Sequence, residues 1–180
     1  DYPISVVKIG TLCSSAQSEV IAKILRTIPH IPVIYDPVFV ASNGRAFTDL
    51  KKIPEMMTNL LPVVDCITPN LSEAELLWGR PIRDFSDAQN ACREISQRGV
   101  RSVYLKGGHF TGQLKGVDIL YAENKFHTLK PQKNFNRVHE IHGTGCALST
   151  LIAVYLFQGE SLLVACQKAK SRLHELILSA

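Results

Sequence analysis

An open, mainly parallel α/β sheet with helices on both faces is the architecture that this sequence predicts, and three observations point to it. Short apolar runs alternate with amphipathic stretches, as strands alternate with covering helices. The apolar runs close on polar or glycine punctuation, at Asp36-Pro37, Pro69-Asn70 and Gly107-Gly108. Later in the chain two β-prone runs are separated only by Glu123-Asn124, a hairpin spacing that adds antiparallel strands to the sheet.

Val6 to Gly10 forms the first predicted strand. Ser14 to Ile28 follows as a helix, because Val20, Ile21, Ile24, Leu25 and Ile28 recur at intervals of three and four, and Pro29 and Pro32 end it. Ile31 to Tyr35 is a short buried strand. Phe47 to Leu60 reads as a second helix, which Pro54 splits near its middle. Val63 to Thr68 is a third strand and Leu71 to Trp78 a short helix. Ser86 to Gln97 is a fourth helix, with Ala88, Ala91, Cys92 and Ile95 on one face, and it leads into the strand Ser102 to Lys106. Val117 to Ala122 and Lys125 to Leu129 make the hairpin. Thr144 to Ala180 holds two helices divided at Gln158-Gly159-Glu160; the first is apolar on nearly every side and is expected to be buried.

Composition restricts the class of partner. The 180 residues are 46% hydrophobic and 20% charged, which suits one globular domain. Apolar runs break well before the ~18 residues that a bilayer requires, so no membrane partner is expected. The 20 basic and 16 acidic residues are interspersed and leave a net charge of +4, which argues against a nucleic-acid-binding arm and leaves anionic small molecules open. Cys13, Cys66, Cys92, Cys146 and Cys166 are odd in number and widely spaced. They argue against a disulfide framework or a CxxC metal site, and for a reducing, cytoplasmic setting. His139 and His142 read as polar loop residues rather than metal ligands. The chain opens on Asp1-Tyr2-Pro3, without the pattern of a signal peptide, and reads as starting in mid-protein.

Sheets of this type bind ligands at the carboxyl ends of their strands. That rule selects four clusters: Asp36-Pro37-Val38, Thr68-Pro69-Asn70 with Glu73, Lys106-Gly107-Gly108-His109, and His142-Gly143-Thr144-Gly145-Cys146. In the last, two glycines flank Thr144 ahead of a long apolar helix, so backbone N–H groups can converge on an oxyanion at the positive helix terminus. A tight turn with Thr144 as N-cap fits the same residues equally well. Cys146 falls in the first helical turn, where the terminus favours a thiolate. Lys106, followed by two glycines, suits a cation presented to phosphate oxygens. Asp36, Asn70 and Glu73 are hard oxygen donors of the sort that hold magnesium directly or through water, while Asn70 to Glu73 also fits a variant of the capping box. An anion hole, a cation and oxygen ligands together favour phosphoryl transfer.

The same residues carry a resemblance. Tyr35-Asp36-Pro37-Val38, Ile67-Thr68-Pro69-Asn70-Leu71-Ser72-Glu73, Leu105-Lys106-Gly107-Gly108-His109 and His142-Gly143-Thr144-Gly145-Cys146-Ala147-Leu148-Ser149, with Val7-Lys8-Ile9-Gly10 ahead of them, resemble the bacterial hydroxymethylpyrimidine/phosphomethylpyrimidine kinases of thiamine biosynthesis, within the ribokinase-like superfamily. Most ribokinase-like relatives have Asp where this chain has Cys146; the Cys form is similar to the pyrimidine kinases and to one group of pyridoxal kinases. The resemblance implies two successive phosphorylations with ATP and Mg2+ as cofactors. It implies an anion hole at Gly143, Thr144, Gly145 and Cys146, with Cys146 taking or positioning the hydroxymethyl proton. Lys106 and Gly108 would serve the nucleotide, Asn70 and Glu73 the magnesium with Asp36 assisting through water, and Val38 the substrate ring. Family members often pair as homodimers. They also carry roughly 70 residues ahead of the Lys-Ile-Gly strand and a Gly-His-Gly segment near the C-terminus, so residues 1–180 are expected to be one domain, incomplete at both ends. A pyridoxal kinase and a non-catalytic nucleotide-binding remnant are the alternatives.

Overall fold

Alternation along the strands decides which helical layer each residue meets. The computed structural model of the chain describes residues 3–41, 43–108, 110, 115–131 and 143–179. Its strands are β1 (Val7–Ile9), β2 (Val33–Tyr35), β3 (Cys66–Ile67), β4 (Ser102–Leu105), β5 (Asp118–Ala122) and β6 (Lys125–Leu129). They form one sheet in sequence order, β1 to β4 parallel and β4 to β6 antiparallel. Val33, Tyr35, Ile67, Val103, Leu105, Ile119 and Tyr121 point to one face, where they pack with α1 (Ser15–Leu25), α2 (Ile53–Leu60), α3 (Leu71–Trp78) and α4 (Phe85–Ser96). Their neighbours Ile34, Cys66, Tyr104 and Leu120 point to the other, against α5 (Thr144–Phe157) and α6 (Leu162–Leu178). The period of two thus builds a three-layer molecule from runs that look uniformly apolar in sequence.

The local signals act as their chemistry requires. Ser14 caps α1 by accepting from the Gln17 N–H, and Asp84 caps α4 by accepting from the Asp87 N–H. Gly79 takes φ +86° where α3 ends, a conformation that favours glycine. Glu123 and Asn124 both have positive φ, 51° and 59°, which gives the β5–β6 hairpin the two-residue turn that matches strand twist.

Four expectations need correction. The helix expected over Phe47 to Leu60 begins only at Ile53, after a 3-10 turn at Leu50–Lys52, so Pro54 lies in the first turn rather than mid-helix. There its missing N–H costs nothing. Val20 and Ile24, apolar positions in the repeat that predicts the first helix, are more than half exposed, because α1 packs through Ala22 and Leu25. The long apolar helix α5 is not wholly buried: Leu148, Ser149, Ile152 and Ala153 face the sheet, whereas Val154 and Phe157 are exposed. The third strand is also shorter than Val63 to Thr68, since Leu61–Val63 is a 3-10 turn, although Thr68 N–H still donates to the Tyr35 carbonyl. None of the five cysteines forms a disulfide, and among the described residues no helix is long and apolar enough to cross a membrane.

Candidate active site

Because β2, β3 and β4 run parallel, the residues that leave them emerge along one edge of the sheet, and the strand alternation turns Asp36, Thr68 and Lys106 toward α5. Asp36 is fully buried. Its Oδ1 accepts from Lys106 Nζ (2.8 Å) and Thr68 Oγ1 (3.2 Å), and its Oδ2 accepts from Ser149 Oγ on α5 (3.2 Å). Lys106 Nζ also lies 3.8 Å from Glu73 Oε2. Asn70 Oδ1 accepts the Glu73 N–H (2.9 Å) and Glu73 Oε2 accepts the Asn70 N–H (2.7 Å), a complete capping box at the start of α3. Backbone bridging of Asn70 with Lys106, through Lys106 N–H to the Pro69 carbonyl (2.8 Å), joins the β3 and β4 ends.

The α5 N-terminus completes the cluster. Gly143, at φ +85°, is the N-cap residue, and no side chain caps the helix. Thr144 is therefore the first helical residue and not the cap, so the N–H groups of the first turn remain available to an external acceptor. A Cβ placed on Gly145 would lie 3.1 Å from Lys106 Nζ. A lysine ammonium and a helix N-terminus thus converge on one spot, which makes a cradle for an anion.

The charges of the cluster set one another's protonation. Burial pushes the Asp36 carboxyl up, but the charge and hydrogen bond of Lys106, with help from the Cys146 thiol and Lys8, hold it below the ordinary carboxylate value. Burial also raises Glu73, to about 7, against the opposing pull of Lys106 and the Asn70 N–H. Cys146 moves the same way: partial burial, then the Asp36 charge and its hydrogen bond, push the thiol up, and Lys8 and Lys106 offset this only in part. The thiolate expected at a helix terminus is therefore reversed, first by burial of the thiol and then by the Asp36 carboxylate.

The structure brings Asp36, Asn70, Glu73, Lys106 and Gly143 to Cys146 together. Val38 sits half-buried in the loop after β2, two residues past Asp36. Gly108 has open space where a Cβ would be. His109, His139 and His142 lie outside the described residues. Ser149 and Lys8 lie within the motif segments, but the sequence assigned them no role. Ser149 is one helical turn beyond Cys146 and shares its face; Lys8 shares the α5 side of the sheet by alternation with Val7 and Ile9. A cavity of about 470 Å3 opens at the opposite, N-terminal strand ends, lined by Asp65, Arg101 and Leu162 among others. Its Asp65 carboxylate is spent on the Val33 N–H and Arg101, so that end is a structural corner.

A mainly parallel sheet with a strand-end lysine facing a glycine-flanked helix N-terminus is an α/β architecture of the ribokinase-like class. The phosphomethylpyrimidine kinase family matches residues 1–180, and the chain belongs to that family. It is 33% identical to the hydroxymethylpyrimidine/phosphomethylpyrimidine kinase of Aquifex aeolicus over 177 residues, 98% of this chain and 68% of that one. It is 36% identical to the enzyme of the same name from Synechococcus elongatus, over 94% of this chain and 64% of the relative. The chain thus spans about two thirds of the length of these relatives. Among solved structures it resembles phosphomethylpyrimidine kinase from Clostridium difficile (TM-score 0.81, 30% identity, 98% of this chain and 71% of that one). It also resembles the Staphylococcus aureus pyridoxal kinase in complex with pyridoxal (TM-score 0.82, 25% identity, 96% and 61%).

Proposed function

We propose that this chain carries the phosphoryl-transfer centre of an ATP-dependent kinase that phosphorylates hydroxymethylpyrimidine and then its monophosphate. The observation that carries the reading is the convergence of Lys106 with the uncapped N-terminus of α5, which opens beside the buried Asp36 carboxylate. Lys106 and the first-turn N–H groups bind the phosphoryl oxygens and stabilise the charge that builds on them. The acceptor hydroxyl oxygen attacks the γ-phosphorus of ATP as the bond to the β–γ bridging oxygen breaks, and ADP leaves with that oxygen.

The hydroxyl proton needs a destination. Cys146 is a thiol rather than a thiolate at neutral pH, and Asp36 is anionic. The sulfur takes the substrate proton while its own proton passes to Asp36, so the pair acts as a relay. In the second phosphorylation the acceptor is a phosphate oxygen that is already anionic, and the relay is not needed.

The residues fit magnesium. Glu73 and Asn70 offer hard oxygen donors in front of Lys106, and among the described residues no cluster of three His, Cys, Asp or Glu makes a ready cage. Two donors with phosphate and water completing the shell is the usual arrangement for this ion. Magnesium would supply neutralisation of the ATP phosphates. Glu73 and Asn70 are held for that task by their mutual capping bonds.

The test is acceptor-dependent ADP release by the full-length protein, with hydroxymethylpyrimidine, its monophosphate and pyridoxal as acceptors. The proposal expects turnover on both pyrimidines. Faster turnover on pyridoxal would favour the second reading, which the likeness to the S. aureus enzyme supports. ATP binding without transfer to any acceptor would identify a nucleotide-binding remnant. A homodimer belongs to the same proposal and is checked by light scattering.

A further inference from the structure

The end of β4 is held from α6 by a buried ion pair outside the anion cradle. Lys170, 6% exposed, reaches from α6 to the start of β5, where its Nζ donates to Asp118 Oδ2 (2.5 Å) and to the Gly116 carbonyl (2.7 Å). The Tyr104 hydroxyl donates to the same Oδ2 (2.5 Å). The other carboxylate oxygen, Asp118 Oδ1, accepts the N–H of Gly107 (2.7 Å), the residue that follows Lys106. On the opposite side the Lys106 N–H is bound to the Pro69 carbonyl. The chain passes so close here that a Cβ on Gly107 would lie 1.8 Å from the Val117 carbonyl oxygen.

A buried ion pair is a weak source of net stability, since apolar residues of similar volume often do as well. Its placement is more informative: it fixes one specific backbone N–H, directly after the strand-end lysine. We propose that Asp118 and Lys170 are positioning residues, which clamp Gly107 and thereby aim the Lys106 ammonium and the Gly107-Gly108 backbone at the nucleotide phosphates. They touch no ligand themselves. The inference rests on the kinase reading for the identity of that ligand.

Two double substitutions in the full-length protein separate positioning from stability. Asp118→Leu with Lys170→Met removes the charges together and also the acceptor for Gly107. Asp118→Asn with Lys170→Met removes the charges but keeps an amide oxygen at the same place. The first is expected to raise KM for ATP about tenfold or more with the acceptor KM unchanged, because small misplacements of charged groups are costly in phosphoryl transfer. The second should stay within about threefold of the unaltered protein, whatever the two melting temperatures are. Equal ATP KM in both, or a rise in acceptor KM as large as that for ATP, would overturn the proposal. If the leucine variant does not fold, Asp118→Asn and Asp118→Ala carry the test, since both leave Lys170 without its carboxylate and only the second removes the acceptor for Gly107; the larger rise in ATP KM is expected for Asp118→Ala, and equal values would overturn the proposal. Calorimetric ATP titration distinguishes the two readings. Binding without transfer removes the kinase reading and leaves the same comparison of variants decisive for the clamp; no binding by the unaltered protein removes both.

Discussion

The two faces of this sheet are built from the same strands for different ends. On the α1–α4 face Tyr35, Ile67, Val103 and Leu105 meet Phe39, Met56, Met57 and Leu60 in a layer dominated by fully buried apolar side chains. On the α5–α6 face the strands bring Asp36, Thr68, Lys106 and Asp118 out among Ser149 and Lys170, nearly all of them buried. Burying a polar group costs free energy unless it is paired, and each of these is paired. The α1–α4 face is thus apolar along these strands, whereas the α5–α6 face adds to its own apolar layer of Ile34, Cys66, Tyr104 and Leu120 a desolvation cost that holds charge at the strand ends. The difference lies in parity alone, since Tyr35 and Asp36 are neighbours in sequence.

Substitutions on the two faces should accordingly fail in different ways. Lys106→Met is expected to have the largest effect: a loss of about three orders of magnitude in kcat/KM with ATP, because it removes the cation of the cradle. It should also lower stability by about 3 kcal/mol or more, because Asp36 is left buried and unpaired. Steady-state kinetics and denaturant titration read the two losses. Cys146→Ala should lower kcat on the hydroxymethyl acceptor by about 100-fold and that on the monophosphate by much less, since only the first needs a proton relay. Equal losses on both acceptors would remove the relay. On the other face Leu60→Ala is expected to cost about 2–5 kcal/mol of stability, with both KM values unchanged in the folded fraction.

The smallest expected effect has an unusual sign. Glu73, raised to about 7 by burial, binds its proton more tightly in the folded state than in the unfolded one. Its contribution to stability is therefore present below the unfolded value of 4.5, falls as pH rises from there to about 7, and is flat above. Glu73→Gln keeps an oxygen for the capping box and removes the titration. It should raise stability at pH 8 relative to pH 5, on the order of 3 kcal/mol at most, while weakening magnesium dependence. Thermal melts at the two pH values check the sign.

Much of this was legible in the sequence for identifiable reasons. Strand ends are marked by Asp-Pro, Pro-Asn and Gly-Gly, so the site residues could be found by their position at the edge of a parallel sheet. The hairpin was legible because Glu123-Asn124 fits only a short turn. What stayed hidden depends on three-dimensional neighbours. A helical period identifies Val20 and Ile24 as apolar but not which way α1 will face. The Cys146 thiol was misjudged because the helix terminus is visible in sequence, whereas the burial of the thiol and the proximity of Asp36, 110 residues earlier, are not. The Asp118–Lys170 clamp joins residues 52 apart and is announced by no motif.

As a phosphoryl-transfer centre, the α5-facing cluster must transfer phosphate and not merely bind it. The direct measurement is ADP release by the full-length protein with magnesium-ATP, in the presence and absence of hydroxymethylpyrimidine, beside the Lys106→Met variant. Acceptor-dependent release that the variant loses is expected. Release that ignores the acceptor, or that survives without Lys106, would rule out transfer by this cluster.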